Sequence, residues 1–458
     1  MYKGLRIRYT ISILITRRVK MKKIKRLNTA KRVKIILEED ETLVSYGGGL
    51  LVDEFIHRLG LPHLIDTTVK VKERERGYRE SEAVLGLAIS MITGGVCLDD
   101  LIVLREEESF KNIWRHGDIP HPTTMGDFLR RFDLGHIRQL ESVNTQSFRK
   151  VYSASERMSA LTMDIDSTLD EVHGSKKEGA QWAYTGIRAL NPLMCFIREN
   201  ADWLHSRLRS GNVHTSDGAV SFIRECYHKI KDLADRINAC MDSGFYDKEI
   251  VAECERLNIG FSITADQTAP LMRAVHAIAE SAWIQIDEKV WVSEIMYEPV
   301  GWAREYRYVV RREELPQKEQ MSLLDSASYR YHAIVTNRAE PAKELVPFHL
   351  CRATMENFIK ETKYGLSLDR FPCQEFHANW AYLTIGMLAY NIVSWIKRLA
   401  LPSMYKKRLI KALRFRFFNV AARIVRHGRC VVMKLAQGIH RFTDILYAYE
   451  RILSLQFR

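Results

Sequence analysis

Apolar positions along this chain change their period more than once. Between 30 and 140 they recur at three- and four-residue intervals. Leu51, Val52, Phe55, Ile56 and Leu59 share one face of a helix over 49–59, and Ser81-Glu82 precede an apolar run from Ala83 to Ile92. His121-Pro122-Thr123-Thr124 offer a turn and an N-cap before 125–132, where Arg130 and Arg131 suit either a DNA-facing helix or a plain interdomain one. From 160 the period becomes two. Positions 161, 163, 165, 167 and 169 are mostly apolar, so Asp164 and Asp166 point together to the other face of a strand. Two ionised carboxylates on one strand face are costly to desolvate without partners, although a solvent-facing edge strand would avoid that cost.

Strand-like runs at Pro192 to Ile197 and Trp203 to Leu208 follow. Ser216-Asp217 then cap a helix from about Gly218 to Ile237. A short strand, Ile237 to Met241, ends at Asp242-Ser243-Gly244, ahead of a helix over Asp247 to Leu257 and a strand from Gly260 to Ala265. An acid at the end of a buried strand is a frequent position for ligand chemistry in α/β sheets. Residues 283–337 read as strands again (Trp283 to Ile286, Val290 to Tyr297, Glu305 to Arg311, Tyr329 to Thr336), with a charged loop around Pro316 to Gln320. A helix over 349–365 would put Arg352, Glu356, Lys360 and Lys363 on one face, either as a solvated face with i,i+4 ion pairs or as one acid set in a basic stripe. Trp380 to Leu399 reads as an apolar core helix.

Charge divides the chain. Residues 1–34 hold thirteen Lys or Arg and no acid, residues 397–458 hold fifteen against Asp444 and Glu450, and the total of +13 leaves the body between them at −13. Basic ends suit a polyanion as well as plain solubility, and an acidic body suits cations. The eight cysteines are scattered with no pair two to four residues apart, which disfavours zinc ribbons, gives no disulfide framework and fits a reducing cytoplasm. No apolar run reaches the roughly 18 residues of a membrane span. Met21 opens a second plausible start, so the first twenty residues read as a tail or a misplaced start.

Taken together, Asp166-Ser167-Thr168, Asp242-Ser-Gly-Phe-Tyr and the stretch His349-x2-Arg352-x3-Glu356-x6-Lys363 resemble the DDE transposases of bacterial insertion sequences. The resemblance is to the subgroup with an inserted β domain and a Tyr-Arg-Glu-Lys signature, whose tyrosine is His349 here. It implies an α/β fold: an RNase H-like mixed sheet with helices on its faces, a mostly-β insertion before the last catalytic helix, and helical N- and C-terminal regions. The expected divisions are a basic tail (1–34), a helical DNA-binding region (35–155), the catalytic domain in two parts (156–282 and 341–400) around the inserted β domain (283–340), and a basic helical C-terminal region (401–458). By resemblance, Asp166, Asp242 and Glu356 are the catalytic acids and hold two Mg²⁺ ions, with Mn²⁺ able to substitute. Asp164 is the rival for the first acid, and Ser167-Thr168 favour Asp166. His349, Arg352, Lys360 and Lys363 are the expected DNA contacts. Trp291 or Trp302 would stack a flipped base if not simply core. The implied activity is cutting the element's terminal inverted repeats and joining the 3' ends to a target, by a cytoplasmic, nucleoid-associated homodimer or larger assembly on double-stranded DNA. An RNase H-like nuclease without strand transfer, or an inactive DNA-binding descendant, are the alternatives.

Overall fold

The computed structural model describes residues 40, 42–74, 76–154, 157–315, 329–427, 430–435 and 442–457. The basic stretch 1–34 and the charged loop at 316–320 lie outside them.

The site is positioned by a nine-stranded mixed sheet. Its strands are β1 (Met158–Ser167), β2 (Leu193–Ile197), β3 (Asp202–Arg207), β4 (Ala234–Met241), β5 (Gly260–Thr264), β6 (Ile284–Asp287), β7 (Val290–Tyr297), β8 (Tyr306–Glu314) and β9 (Tyr329–Thr336), in the order β6-β7-β8-β9-β5-β4-β1-β2-β3. β1, β2 and β3 form an antiparallel meander, while β4 runs parallel to β1 and β5 parallel to β4. The parallel pairs need helical crossovers, supplied by α1 (Ala219–Ile230) and α2 (Lys248–Arg256). This is the expected RNase H-like arrangement. Residues 161–165 of β1 are buried on both faces, and burial relaxes at Asp166.

Two expectations are corrected, and the place of the insertion is defined. The helix begun near 218 ends at Ile230, because Ala234 to Cys240 pair in register with Met158 to Asp164 and the ladder overrides the helical spacing of Leu233 and Ile237. The inserted strands belong to the catalytic sheet. β9 pairs antiparallel with β5, so the insertion prolongs the catalytic sheet and covers what would be a bare strand edge. The C-terminal region is not wholly helical: beside the helix Phe442–Ser454 it carries a hairpin, Ala422–His427 with Cys430–Leu435, which also pairs with Leu43–Val44.

Past the sheet, α3 (Ala342–Leu350) and α4 (Thr354–Leu366) are separated by a single 3-10 turn, Cys351–Ala353, and α5 (Phe376–Leu399) runs through the core. The expected continuous helix over 349–365 is therefore broken, and Pro347, which lacks an N–H and crowds the preceding turn, lies just before the break. α5 is buried along most of its length and packs on the N-terminal helices Glu80–Thr93 and Leu134–Ser153 and on β3. One hydrophobic cluster extends from Val44 to Ile452.

Candidate active site

Three elements deliver the three acids. Asp166 stands near the end of β1, where its Oδ1 accepts the Ser167 N–H at 2.8 Å. Asp242 follows β4 and caps the short turn Ser243–Phe245, accepting the Gly244 N–H at 3.0 Å. A Cβ at Gly244 would lie 2.9 Å from Thr215, so the turn is held against the 209–217 loop. Glu356 lies in the first turn of α4, where the helix dipole favours a carboxylate.

The charges of Asp242 and Glu356 both act on Asp166. Burial pushes the Asp166 carboxyl up to about 6, the negative charges of Asp242 and Glu356 push the same way, and Arg352 together with the Ser167 N–H opposes them. Repulsion among three carboxylates from three elements is relieved by a shared cation. The donor set is all oxygen, which suits a hard divalent ion. Among the described residues no group of three or more His, Cys, Asp or Glu side chains is placed so that it could hold a metal ion by itself. Glu356 is more than half exposed, with Lys360 Nζ 3.8 Å away. Mg²⁺ keeps several waters and needs only one or two carboxylates per ion, so the residues fit divalent ions completed by substrate oxygens.

The expected DNA contacts separate into two groups. Arg352 is half-buried with one Nη 3.3 Å from Asp166 Oδ2, and Lys360 is exposed on α4, so both border the acids. His349 does not. Only 2 % exposed, it places Nε2 2.9 Å from Thr264 Oγ1 and Nδ1 3.1 Å from Ser262 Oγ, and burial holds its imidazole neutral, down to about 3. A buried neutral ring at that position cannot reach a phosphate, and the expectation for it is corrected. Lys363 also turns inward: Nζ donates to the Leu169 carbonyl at 2.9 Å and lies 2.7 Å from Asp170 Oδ1, an ionic contact rather than an aligned hydrogen bond. Its ammonium is committed to a buried acid, which displaces the expected role on DNA.

Asp164, the rival first acid, is fully buried against Arg198. Arg198 Nε donates to Asp164 Oδ2 at 2.9 Å, and a second N–H of the fork reaches Oδ1. That pairing leaves Asp166 as the carboxylate on this strand that faces Asp242 and Glu356. Trp302 packs against Tyr246 and Tyr306, and Trp291 against Tyr329 with Arg312 nearby, so both rings already have partners. Arg198 and Asp170 were not expected at the site. A lone arginine directly after the wholly buried strand Leu193–Ile197 was the available signal for the first.

Comparison with known proteins identifies the family. The sequence model of the family described as transposase DDE domain group 1 matches residues 27–456. No curated protein matches the chain in sequence. Among solved structures, a cryo-EM structure of the piggyBac transposase synaptic complex with hairpin DNA is similar at 11% identity, with 90% of this chain and 86% of that chain covered and a TM-score of 0.44. With the family match running over nearly its whole length, the chain belongs to the DDE transposases and is an enzyme of DNA phosphoryl transfer.

Proposed function

We propose that this transposase cuts the terminal inverted repeats of a bacterial insertion sequence and joins the freed 3' ends to target DNA, working as a dimer or larger assembly on the nucleoid. The observation that supports this reading is the family match over residues 27–456, with Asp166 near the end of β1, Asp242 directly after β4 and Glu356 in the first turn of α4. Asp166 and Asp242 would each be held in orientation by a backbone N–H, Asp166 shared between two Mg²⁺ ions, Asp242 holding one and Glu356 the other. Such ions supply an activated water or 3'-hydroxyl and stabilise the leaving oxygen. Arg352, already beside Asp166, is placed to fork onto a phosphate next to the acids, and Lys360 adds a point charge on the exposed face of α4.

The test uses purified full-length protein and an oligonucleotide duplex carrying the element's own terminal repeat, in Mg²⁺ or Mn²⁺, comparing wild type with Glu356→Gln. Glutamine keeps the shape and removes the charge. Cleavage and joining by wild type, both lost in the variant while end binding persists, is the expected result. Cleavage without joining would instead indicate a nuclease, and undiminished activity in the variant would remove Glu356 from the site.

A further inference from the structure

The parallel strands place small polar residues in a row one step inside the acids. Asp164 of β1 is paired in register with Cys240 of β4, and Cys240 with Ser262 of β5. Two residues further along come Asp166 on β1 and Asp242 after β4, on the same face by the period of a strand. This inner row is where α3 is fastened. Arg198, 13 % exposed at its side chain, grips both oxygens of Asp164, and its remaining Nη donates to the Phe348 carbonyl at 2.7 Å while the guanidinium stacks 4.6 Å from the Phe348 ring. The next residue, His349, lies with Nδ1 3.4 Å from Cys240 Sγ and is bonded to Ser262 and Thr264 as well. A carbonyl at the end of a helix is unsatisfied by the helix itself and needs such a donor. The buried junction thus touches the strand of the first acid, the strand of the second, and the helix end that leads through a 3-10 turn to Arg352 and Glu356.

We propose that Arg198 is a positioning residue for phosphoryl transfer: by clamping Asp164 and the Phe348 carbonyl together it sets the distance between the strand bearing Asp166 and the segment bearing Arg352 and Glu356. Arg198 itself touches no reacting atom. A buried ion pair adds little net stability over apolar residues of similar volume, so its replacement need weaken the fold only by the lost donor to the Phe348 carbonyl. It does fix one geometry, and a misplacement of about 1 Å at a phosphoryl-transfer site costs about a hundredfold in rate. The inference rests on the reading of Asp166, Asp242 and Glu356 as the site.

The experiment separates positioning from stability. In the full-length protein the pair is replaced by Asp164→Leu with Arg198→Met, and separately Arg198→Lys is made, which keeps a charge near Asp164 but cannot hold two acceptors with a planar fork. Thermal unfolding, binding of a terminal-repeat duplex without metal, Mn²⁺ binding by electron paramagnetic resonance on that complex, and single-turnover cleavage are measured for each. The double variant is expected to melt within a few degrees of wild type and bind the duplex within about twofold, yet bind Mn²⁺ several-fold more weakly and cleave about a hundredfold more slowly. Arg198→Lys should fall between, about tenfold slow. A folded double variant with wild-type Mn²⁺ affinity and cleavage rate overturns the proposal. If the double variant fails to fold, a wild-type rate and Mn²⁺ affinity in Arg198→Lys does so. Asp166→Asn, run alongside, isolates the underlying reading: full cleavage there would refute the site itself, whereas lost cleavage there beside an unaffected clamp variant refutes only the clamp.

Discussion

Lys363→Ala should damage this protein through its fold before it affects any DNA contact, and the size of the damage follows from Asp170. Asp170 is 2 % exposed, with Lys363 Nζ 2.7 Å from one carboxylate oxygen. Burial pushes the Asp170 carboxyl up to about 6, with Lys363 opposing the shift. Removing the lysine raises it further, but a proton can take its place. At pH 7 a group at about 6 is protonated at a cost of about 1.4 kcal/mol, and that sets the ceiling on the electrostatic loss. The hydrogen bond to the Leu169 carbonyl contributes about 1 kcal/mol and the packed stem of the lysine about as much again. The total is about 3 kcal/mol at neutral pH. Because Asp170 has a folded value above its unfolded one in both proteins, and a higher one in the variant, the variant's deficit grows as pH rises through 6 and shrinks below it. Chemical denaturation at pH 5.5 and 7.5 should therefore show the deficit falling by about 2 kcal/mol at the lower pH. The double variant Asp170→Asn with Lys363→Met should recover most of the loss. A Lys363→Ala protein with unchanged stability at both pH values and at least tenfold weaker end binding would refute this account and return Lys363 to the DNA.

Acid should weaken the fold through His349. Its folded value near 3 lies below the unfolded value near 6.5, so the unfolded chain takes up a proton first and stability falls as pH drops from 6.5 towards 3, by about 2 kcal/mol at pH 5. His349→Gln should flatten that part of the denaturation slope between pH 7 and 5 while leaving end binding intact; an unaltered slope would contradict the buried neutral ring. Gly48→Ala should destabilise by about 3 kcal/mol or more, because the new Cβ would lie 1.6 Å from the Phe417 carbonyl oxygen, and backbone cannot yield as a side-chain tip can. Thermal unfolding checks it, and a wild-type midpoint would show that the N- and C-terminal segments do not meet there.

Much of the sheet was legible because its strands alternate or are rich in strand-forming residues. Leu161 to Leu169 shows a period of two that local sequence alone exposes, Val290 to Tyr297 and Tyr329 to Thr336 are rich in β-branched and aromatic residues, and the structure has strands at each. Where the expectation failed, two periods overlapped. Leu233 and Ile237 continue the helical spacing of α1, and only the ladder with β1, contributed by residues more than seventy positions earlier, decides that the strand read over 237–241 already begins at Ala234. In the C-terminal hairpin the alternation is present, with Ala422 and Ile424 buried and Arg423 exposed, but it spans few residues and is set among closely spaced arginines.

The site shows a sharper version of the same division. Spacing could put Asp164 and Asp166 on one face, and it could not say which is free, since a period of two makes them equivalent. What separates them is the partner beyond the strand. Asp164 meets Arg198, thirty-four residues away, and Asp166 meets Arg352 and the charges of Asp242 and Glu356. The same asymmetry runs through the signature on the last acid. Its sequence places His349, Arg352 and Lys363 as equals around Glu356, but they point in three directions: His349, before the break at 351–353, into the sheet, Arg352 onto Asp166, and Lys363, two turns past Glu356 on α4, onto Asp170. Cations around an acid therefore differ in kind once their partners are known. Lys363 and His349 are held by buried groups whose loss would unsettle the fold, whereas Arg352 sits on a half-buried carboxylate that a divalent ion could neutralise in its place. If ions take over the charge of Asp166, Arg352 is released towards whatever phosphate lies beside it, and Arg352→Ala should then weaken end binding in the presence of Ca²⁺ more than in its absence, as measured by fluorescence anisotropy on the terminal-repeat duplex. Equal weakening in both conditions would mean that Arg352 reaches DNA without leaving Asp166.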